Sequence, residues 1–248
     1  MAGFLKNLIA PPRCVGCGKR MDIFDDFGEK AFCDDCRNKW ERAKRSMCNG
    51  CNRENVECIC ECKLIKSTRV LSLVKFGRDG ICDRLIYTLK RRRNKRFFDF
   101  AADELYRRLK KEEKMFMTDF SGAIFTNVPR SVKSKNSFGF DQAELLAKSI
   151  AEKMGGDYCS LLLRRYGGKV QKKLGEEKRQ QNVKNRFAFN EKVDAEGKTV
   201  ILIDDVLTTG ATASECIKVL RDRGVAEVLL LTIARSEKKK RKRKKGEK

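Results

Sequence analysis

Apolar residues recur along this chain in two rhythms, and the change from one to the other marks its elements. Val70, Leu71, Leu73, Val74 and Phe76 form a short run ended by Gly77, which reads as a strand. Ile81, Leu85, Ile86 and Leu89, then Phe97, Ala101, Leu105 and Leu109, recur at helical spacing and predict one or two amphipathic helices reaching about Lys111. A second strand is expected over 123–128, ended by Pro129. Asp141 and Glu144 form an N-cap and capping-box pair ahead of Leu145, Leu146, Ile150 and Met154, so a helix begins there. Residues 199–203 are apolar almost throughout, and a loop, a helix carrying Cys216, Ile217, Val219 and Leu220, and a strand over 228–233 come after them. A strand apolar on both faces, placed among helices, implies an α/β fold whose parallel sheet is covered by helices.

Residues 13–62 lack this periodicity. They are broken by Gly16, Gly18, Gly28 and Gly50 and suit loops tied to metal rather than a hydrophobic core. A linker around 63–68 should separate them from the rest of the chain, which divides it into 1–66, 67–235 and a tail, 236–248. The tail has no apolar residue and is expected to be disordered. No run of about 18 apolar residues exists, and residues 4–12 are too short for a membrane span or a signal peptide, so a soluble, cytoplasmic protein is expected.

Nine of the twelve cysteines lie between Cys14 and Cys62. In a reducing compartment, paired CxxC motifs read as metal ligation before disulfides. Cys14, Cys17, Cys33 and Cys36 have the spacing of a zinc ribbon, and with no histidine in the chain four thiolates must close the site, which makes it structural. Cys48 and Cys51 begin a second set, completed by two of Cys58, Cys60 and Cys62. Cys82, Cys159 and Cys216 read as ordinary core or surface thiols.

The net charge is +23, of which the tail supplies +7, so the excess is global. Such a field attracts polyanions, phosphorylated metabolites or nucleic acid, and also serves plain solubility. Residues 90–96 hold six cations, and Arg164, Arg165, Lys169, Lys172, Lys173, Lys178 and Arg179 crowd a polar stretch; runs like these are mostly solvated faces.

The densest chemistry lies in Ile201-Leu202-Ile203-Asp204-Asp205-Val206-Leu207-Thr208-Thr209-Gly210-Ala211-Thr212. Two acids stand at the carboxyl end of a buried strand, where open α/β sheets bind ligands. The backbone N–H groups of Thr208, Thr209, Gly210, Ala211 and Thr212, at the start of a helix, offer a nest for one phosphate. Asp204 and Asp205 are then placed to accept hydrogen bonds from sugar hydroxyls. A chance acidic pair at a turn is the plain alternative; the agreement of acids, loop and flanking elements argues against it.

This segment resembles the signature of the type I phosphoribosyltransferases that binds 5-phosphoribosyl pyrophosphate (PRPP). Val128-Pro129-Arg130, the stretch from Gly139 to Ala147, Gln171, Leu174, Arg179, Asn182-Val183 and the opening Pro11-Pro12-Arg13-Cys14 extend the likeness to the ComF family. The resemblance implies a double zinc ribbon, with two structural zinc ions, joined to a phosphoribosyltransferase domain. It also implies PRPP or a ribose 5-phosphate ligand with magnesium, Asp204 and Asp205 as catalytic residues, and Pro129, Arg130 and Lys90 on the pyrophosphate side. Two activities fit: transfer of the phosphoribosyl group to a nitrogenous acceptor with release of pyrophosphate, or noncatalytic PRPP sensing in DNA uptake, with single-stranded DNA or a helicase as partner and no membrane. This chain departs from the family pattern at Phe138, Asp141 and 91–94, where Arg, Asn and an aromatic-Arg-Gly run are usual.

Overall fold

The computed structural model describes residues 11–21, 30–48, 51–58, 65, 68–76, 80–91, 94–131, 137, 139–165 and 186–236. In chain order they form α1 (Asp34–Arg45), a 3-10 turn (Asn55–Glu57), β1 (Arg69–Phe76), α2 (Ile81–Arg91), α3 (Lys95–Phe116), β2 (Ile124–Asn127), α4 (Gln142–Met154), β3 (Asp157–Tyr158), β4 (Leu162–Arg164), β5 (Phe187–Phe189), β6 (Thr199–Leu207), α5 (Ala211–Arg221) and β7 (Glu227–Ser236).

The apolar run Val200-Ile201-Leu202-Ile203 becomes part of the middle strand, β6. The sheet has the order β1-β7-β6-β2-β3 with every neighbouring pair parallel, and β4 and β5 form a separate antiparallel pair. Period-two alternation sends Ile201 and Ile203 of β6 to one core with Leu229 and Leu231 of β7, against Leu105, Leu146 and Ile150 of α3 and α4. Val200 and Leu202 go to the opposite core with Val228 and Leu230, against Cys216, Ile217 and Leu220 of α5. Side chains buried on both faces explain why these strands lack polar alternation. The helical run after β1 is two helices, broken where Asn94 caps α3 by accepting the Phe97 N–H (3.2 Å). Asp141 caps α4 as expected, accepting the Glu144 N–H (3.4 Å).

Two features of the amino-terminal quarter differ from expectation. Residues 34–45 form a helix, and Cys36, Trp40 and Ala43 on it are buried within the same core as α3 and the sheet. Trp40 is 1 % exposed, packs on Phe32 and Phe100, and donates from Nε1 to Glu104 (3.0 Å). The cysteine-rich segment is therefore tied to hydrophobic packing as well as to its thiols. Ile65, expected in a linker, is buried against Gly210 and the second core. Among the described residues no helix is long and apolar enough to cross a membrane. Ser236, expected in the disordered tail 236–248, instead closes β7, and residues 237–248 lie outside the described residues.

Candidate functional site

The connections leaving β2 and β6 create the cleft. β2 runs into α4 on one face of the sheet, and β6 runs into α5 on the other, so the chain splays apart where two adjacent strands end. Crevices at such switch points are where open α/β sheets bind ligands. The last link is the Val128 N–H on the Ile203 carbonyl (2.9 Å); beyond it β6 continues to Leu207 while Pro129 turns away. The resulting cleft of about 310 Å³ is lined by Pro129, Arg130, Asp204, Asp205, Thr208, Gly210 and Thr212, among others.

Both acids are half-buried and lie within β6 rather than after it, since the strand runs four residues beyond the expected end. Asp204 Oδ1 accepts the N–H of Asp205 (2.8 Å), which fixes its carboxylate at the cleft wall. Gly210 then reverses the chain with φ of 77°, a left-handed conformation that glycine adopts without a Cβ penalty, and caps α5. Thr209 and Ala211 do not line the cleft. Thr209 Oγ1 accepts the Ala211 N–H (3.4 Å) and so closes the turn from within.

The opposite wall is cationic. Arg130 is half-buried, its N–H donates to Asp141 Oδ2 (3.0 Å), and its guanidinium donates to Gln142 Oε1 at the first turn of α4. Asp141 is 5 % exposed, and its two oxygens accept from Arg130 and Glu144. It thus anchors the Pro129–Arg130 turn to α4. Arg164 stands in sequence only as part of a basic run, yet it lines the cleft, donates to the Pro129 carbonyl (3.3 Å) and lies over the Phe187 ring at 5.5 Å. Burial, then the charge of Arg186, pull its guanidinium below the ordinary arginine value. Burial, then the Asp204 carboxylate, push the Cys216 thiol well above its usual range. No sequence pattern singles out Arg164, because the short β4–β5 pair that carries it has only three residues on each strand. Lys90 falls on α2, and its side chain lies outside the described residues.

Among the described residues, seven cysteines form two clusters. The sulfurs of Cys14, Cys17, Cys33 and Cys36 lie within 4.8 Å of one another, with Cys17 and Cys33 at 3.7 Å. A tetrahedral zinc site with Zn–S bonds of ~2.3 Å has an S···S edge of roughly 3.8 Å, so the thiols are spaced to take the ion. Burial raises the Cys14 thiol, but N–H groups of Cys33, Cys17 and Gly16 outweigh it and bring it down to about 7. Burial, then hydrogen bonds with Cys14 and Cys17, push Cys36 the other way. Crowded thiols cannot all ionise alone, and a divalent cation removes that conflict. In the second cluster Cys58 joins Cys48 (3.3 Å) and Cys51 (3.5 Å). Cys60 and Cys62 lie outside the described residues. Both clusters could therefore hold zinc.

Residues 141–248 match the phosphoribosyl transferase domain family. The chain is 25 % identical to competence protein ComFC of Streptococcus pneumoniae over 250 residues, 90 % of this chain and 100 % of that protein. It is 27 % identical to competence protein ComFC of Bacillus subtilis over 223 residues, 84 % of this chain and 85 % of that one. Competence protein F of Haemophilus influenzae is 33 % identical over 100 residues, 40 % of this chain and 44 % of its own length.

Proposed function

We propose that this chain, a member of the ComF family with a type I phosphoribosyltransferase domain, binds PRPP in the cleft between β2 and β6. One observation carries the reading: an acidic pair and the amide-bearing start of a helix face the same crevice, at the one kind of place where a parallel sheet opens. The 5-phosphate of the ligand sits at the start of α5, on the N–H groups of Thr208, Gly210 and Thr212 that line the cleft, where the α5 dipole favours an anion. Asp204 and Asp205 accept hydrogen bonds from the ribose hydroxyls. The diphosphate points toward Pro129 and Arg130, with Lys90 of α2 on the same side. The two carboxylates are also the oxygen donors that suit a magnesium ion carried with the diphosphate, which would neutralise its charge when bound.

The chemistry that fits is displacement at the anomeric carbon. A nitrogen of the acceptor bonds to that carbon, the bond to the diphosphate oxygen breaks, and pyrophosphate leaves with the electron pair while the acceptor proton passes to solvent. Asp204 and Asp205 place negative charge beside the cationic sugar that develops, and Arg130 receives the departing anion. Positioned charge does this work, so the lack of histidine is no obstacle. In this reading residues 1–66 are the zinc-ribbon module and 67–235 the phosphoribosyltransferase domain, with 236–248 a basic tail.

Replacing Asp204 and Asp205 together by Ala removes two charged acceptors worth ~1.5–3 kcal/mol each, so PRPP affinity measured by calorimetry should fall at least about a hundredfold. Unaltered affinity would overturn the site.

A second reading is favoured by the relatives matched over most of their length, which are named competence proteins, by others named DNA utilization proteins, and by the net charge of +23. In it the same cleft senses PRPP without turnover, and the basic surface engages single-stranded DNA or a helicase in the cytoplasm.

A further inference from the structure

A line of direct contacts joins the second cysteine cluster to the phosphate loop. Asn55 is 5 % exposed and lies in the turn between Cys51 and Cys58. Its N–H donates to the Ser46 carbonyl (2.9 Å), its own carbonyl accepts the Cys58 N–H (3.3 Å), and Nδ2 donates to the Ala43 carbonyl (3.1 Å). Asn55 Oδ1 accepts from Arg235 Nη2 (3.4 Å). Arg235, 1 % exposed, is the penultimate residue of β7 and pairs with Leu207, the last residue of β6. The next residue, Ser236, donates from Oγ to the carbonyl of Thr208 (3.2 Å), where the loop begins. Ile65, which comes after the cluster in sequence, supports the same loop: a Cβ on Gly210 would meet its Cγ1 at 3.5 Å.

Packing alone does not ask for arginine here. Leu229, Leu231 and Ile233 fill the alternate positions of β7 on that face, and burying a guanidinium carries a desolvation penalty that a leucine would avoid. What an arginine adds is a directional bond to the cysteine module.

We propose that Arg235 is a positioning residue that couples the second cysteine cluster to the loop 208–212 through Asn55 and Ser236, so that metal on the cluster orders the loop. The proposal rests on the reading that this loop takes a phosphate. Coupling of this kind is reciprocal, so a ligand on the loop also retains metal on the cluster.

Hydrogen exchange of the amides 209–213 tests it without any ligand. Asn55→Ala, Arg235→Met and Ser236→Ala should each accelerate exchange there, the first two by about tenfold, within the range of ordinary allosteric couplings. Stripping the wild-type chain with a chelator should accelerate it to the same extent, and stripping the Asn55→Ala chain should add nothing. Asn55→Asp loses the bond to Ala43 but keeps an acceptor for Arg235, so its loop should exchange more slowly than that of Asn55→Ala. The half-buried Ser236→Ala change keeps the test open if either fully buried substitution fails to fold. Unchanged exchange in Asn55→Ala and Ser236→Ala, or a full additional effect of the chelator in Asn55→Ala, would overturn the coupling. A parallel titration with ribose 5-phosphate separates the two claims: accelerated exchange without binding by the wild type sinks the phosphate reading and leaves the coupling standing.

Discussion

Glu104 shows how a single buried carboxylate can bind two parts of the chain together. It is 3 % exposed on α3 and accepts from Trp40 Nε1 (3.0 Å) and Lys44 Nζ (2.5 Å) of α1, with Arg107 at 2.9 Å. Burial alone would raise its pKa, but the hydrogen bonds of Lys44 and Trp40 outweigh it and hold the carboxyl below the ordinary 4.5. A folded value below the unfolded one gives stability that is present above about 4.5 and is lost as the pH falls through the lower, folded value. Glu104→Gln should therefore cost ~1–3 kcal/mol at pH 7, and its melting temperature should converge on that of the wild type in acid; thermal melts at pH 7 and pH 3 make the comparison. Equal melting temperatures at pH 7 would remove the carboxylate from the interface. Asp141 is the matching case beside the cleft, where one side chain both starts α4 and fixes Arg130.

At the scale of elements, legibility tracks the number of apolar side chains each element commits. β6, β7, α4 and α5 put alternating or helically spaced apolar residues against two cores, and such patterns survive in sequence. α1 buries only Cys36, Trp40 and Ala43 among charged neighbours, a spacing of four and three that two cysteine motifs overshadow. The acidic pair and the glycine turn are legible because their backbone requirements are local. The cationic wall is not, since Arg164 reaches the cleft through a three-residue strand and a carbonyl 35 residues away. The two cysteine clusters carry their own expectation, about two zinc ions per chain by metal analysis. The chain's single tryptophan lies in the core that holds Cys14 and Cys36, so stripping zinc should shift Trp40 emission to longer wavelength as α1 leaves α3. Emission unmoved by complete zinc loss would mean that packing alone holds α1.

For the whole molecule, the question is whether the cleft turns over or only reports. Incubation with PRPP, magnesium and a panel of nucleobases and amines should release pyrophosphate with at least one acceptor. Silence with all of them, together with single-stranded DNA binding that weakens steeply with salt, would favour the sensing role, since a charge of +23 gives counterion release much to act on. The sheet itself sets a further condition. Its first strand lies beside its last, with Ser72 hydrogen-bonded to Thr232 (2.8 Å) across 160 residues of chain. During synthesis β1 therefore waits without its neighbour until β7, about 160 residues later, has left the ribosome, although the cysteine segment beside it was made earlier. For that interval the newborn chain carries a bare strand edge, the kind of surface that chaperones shield.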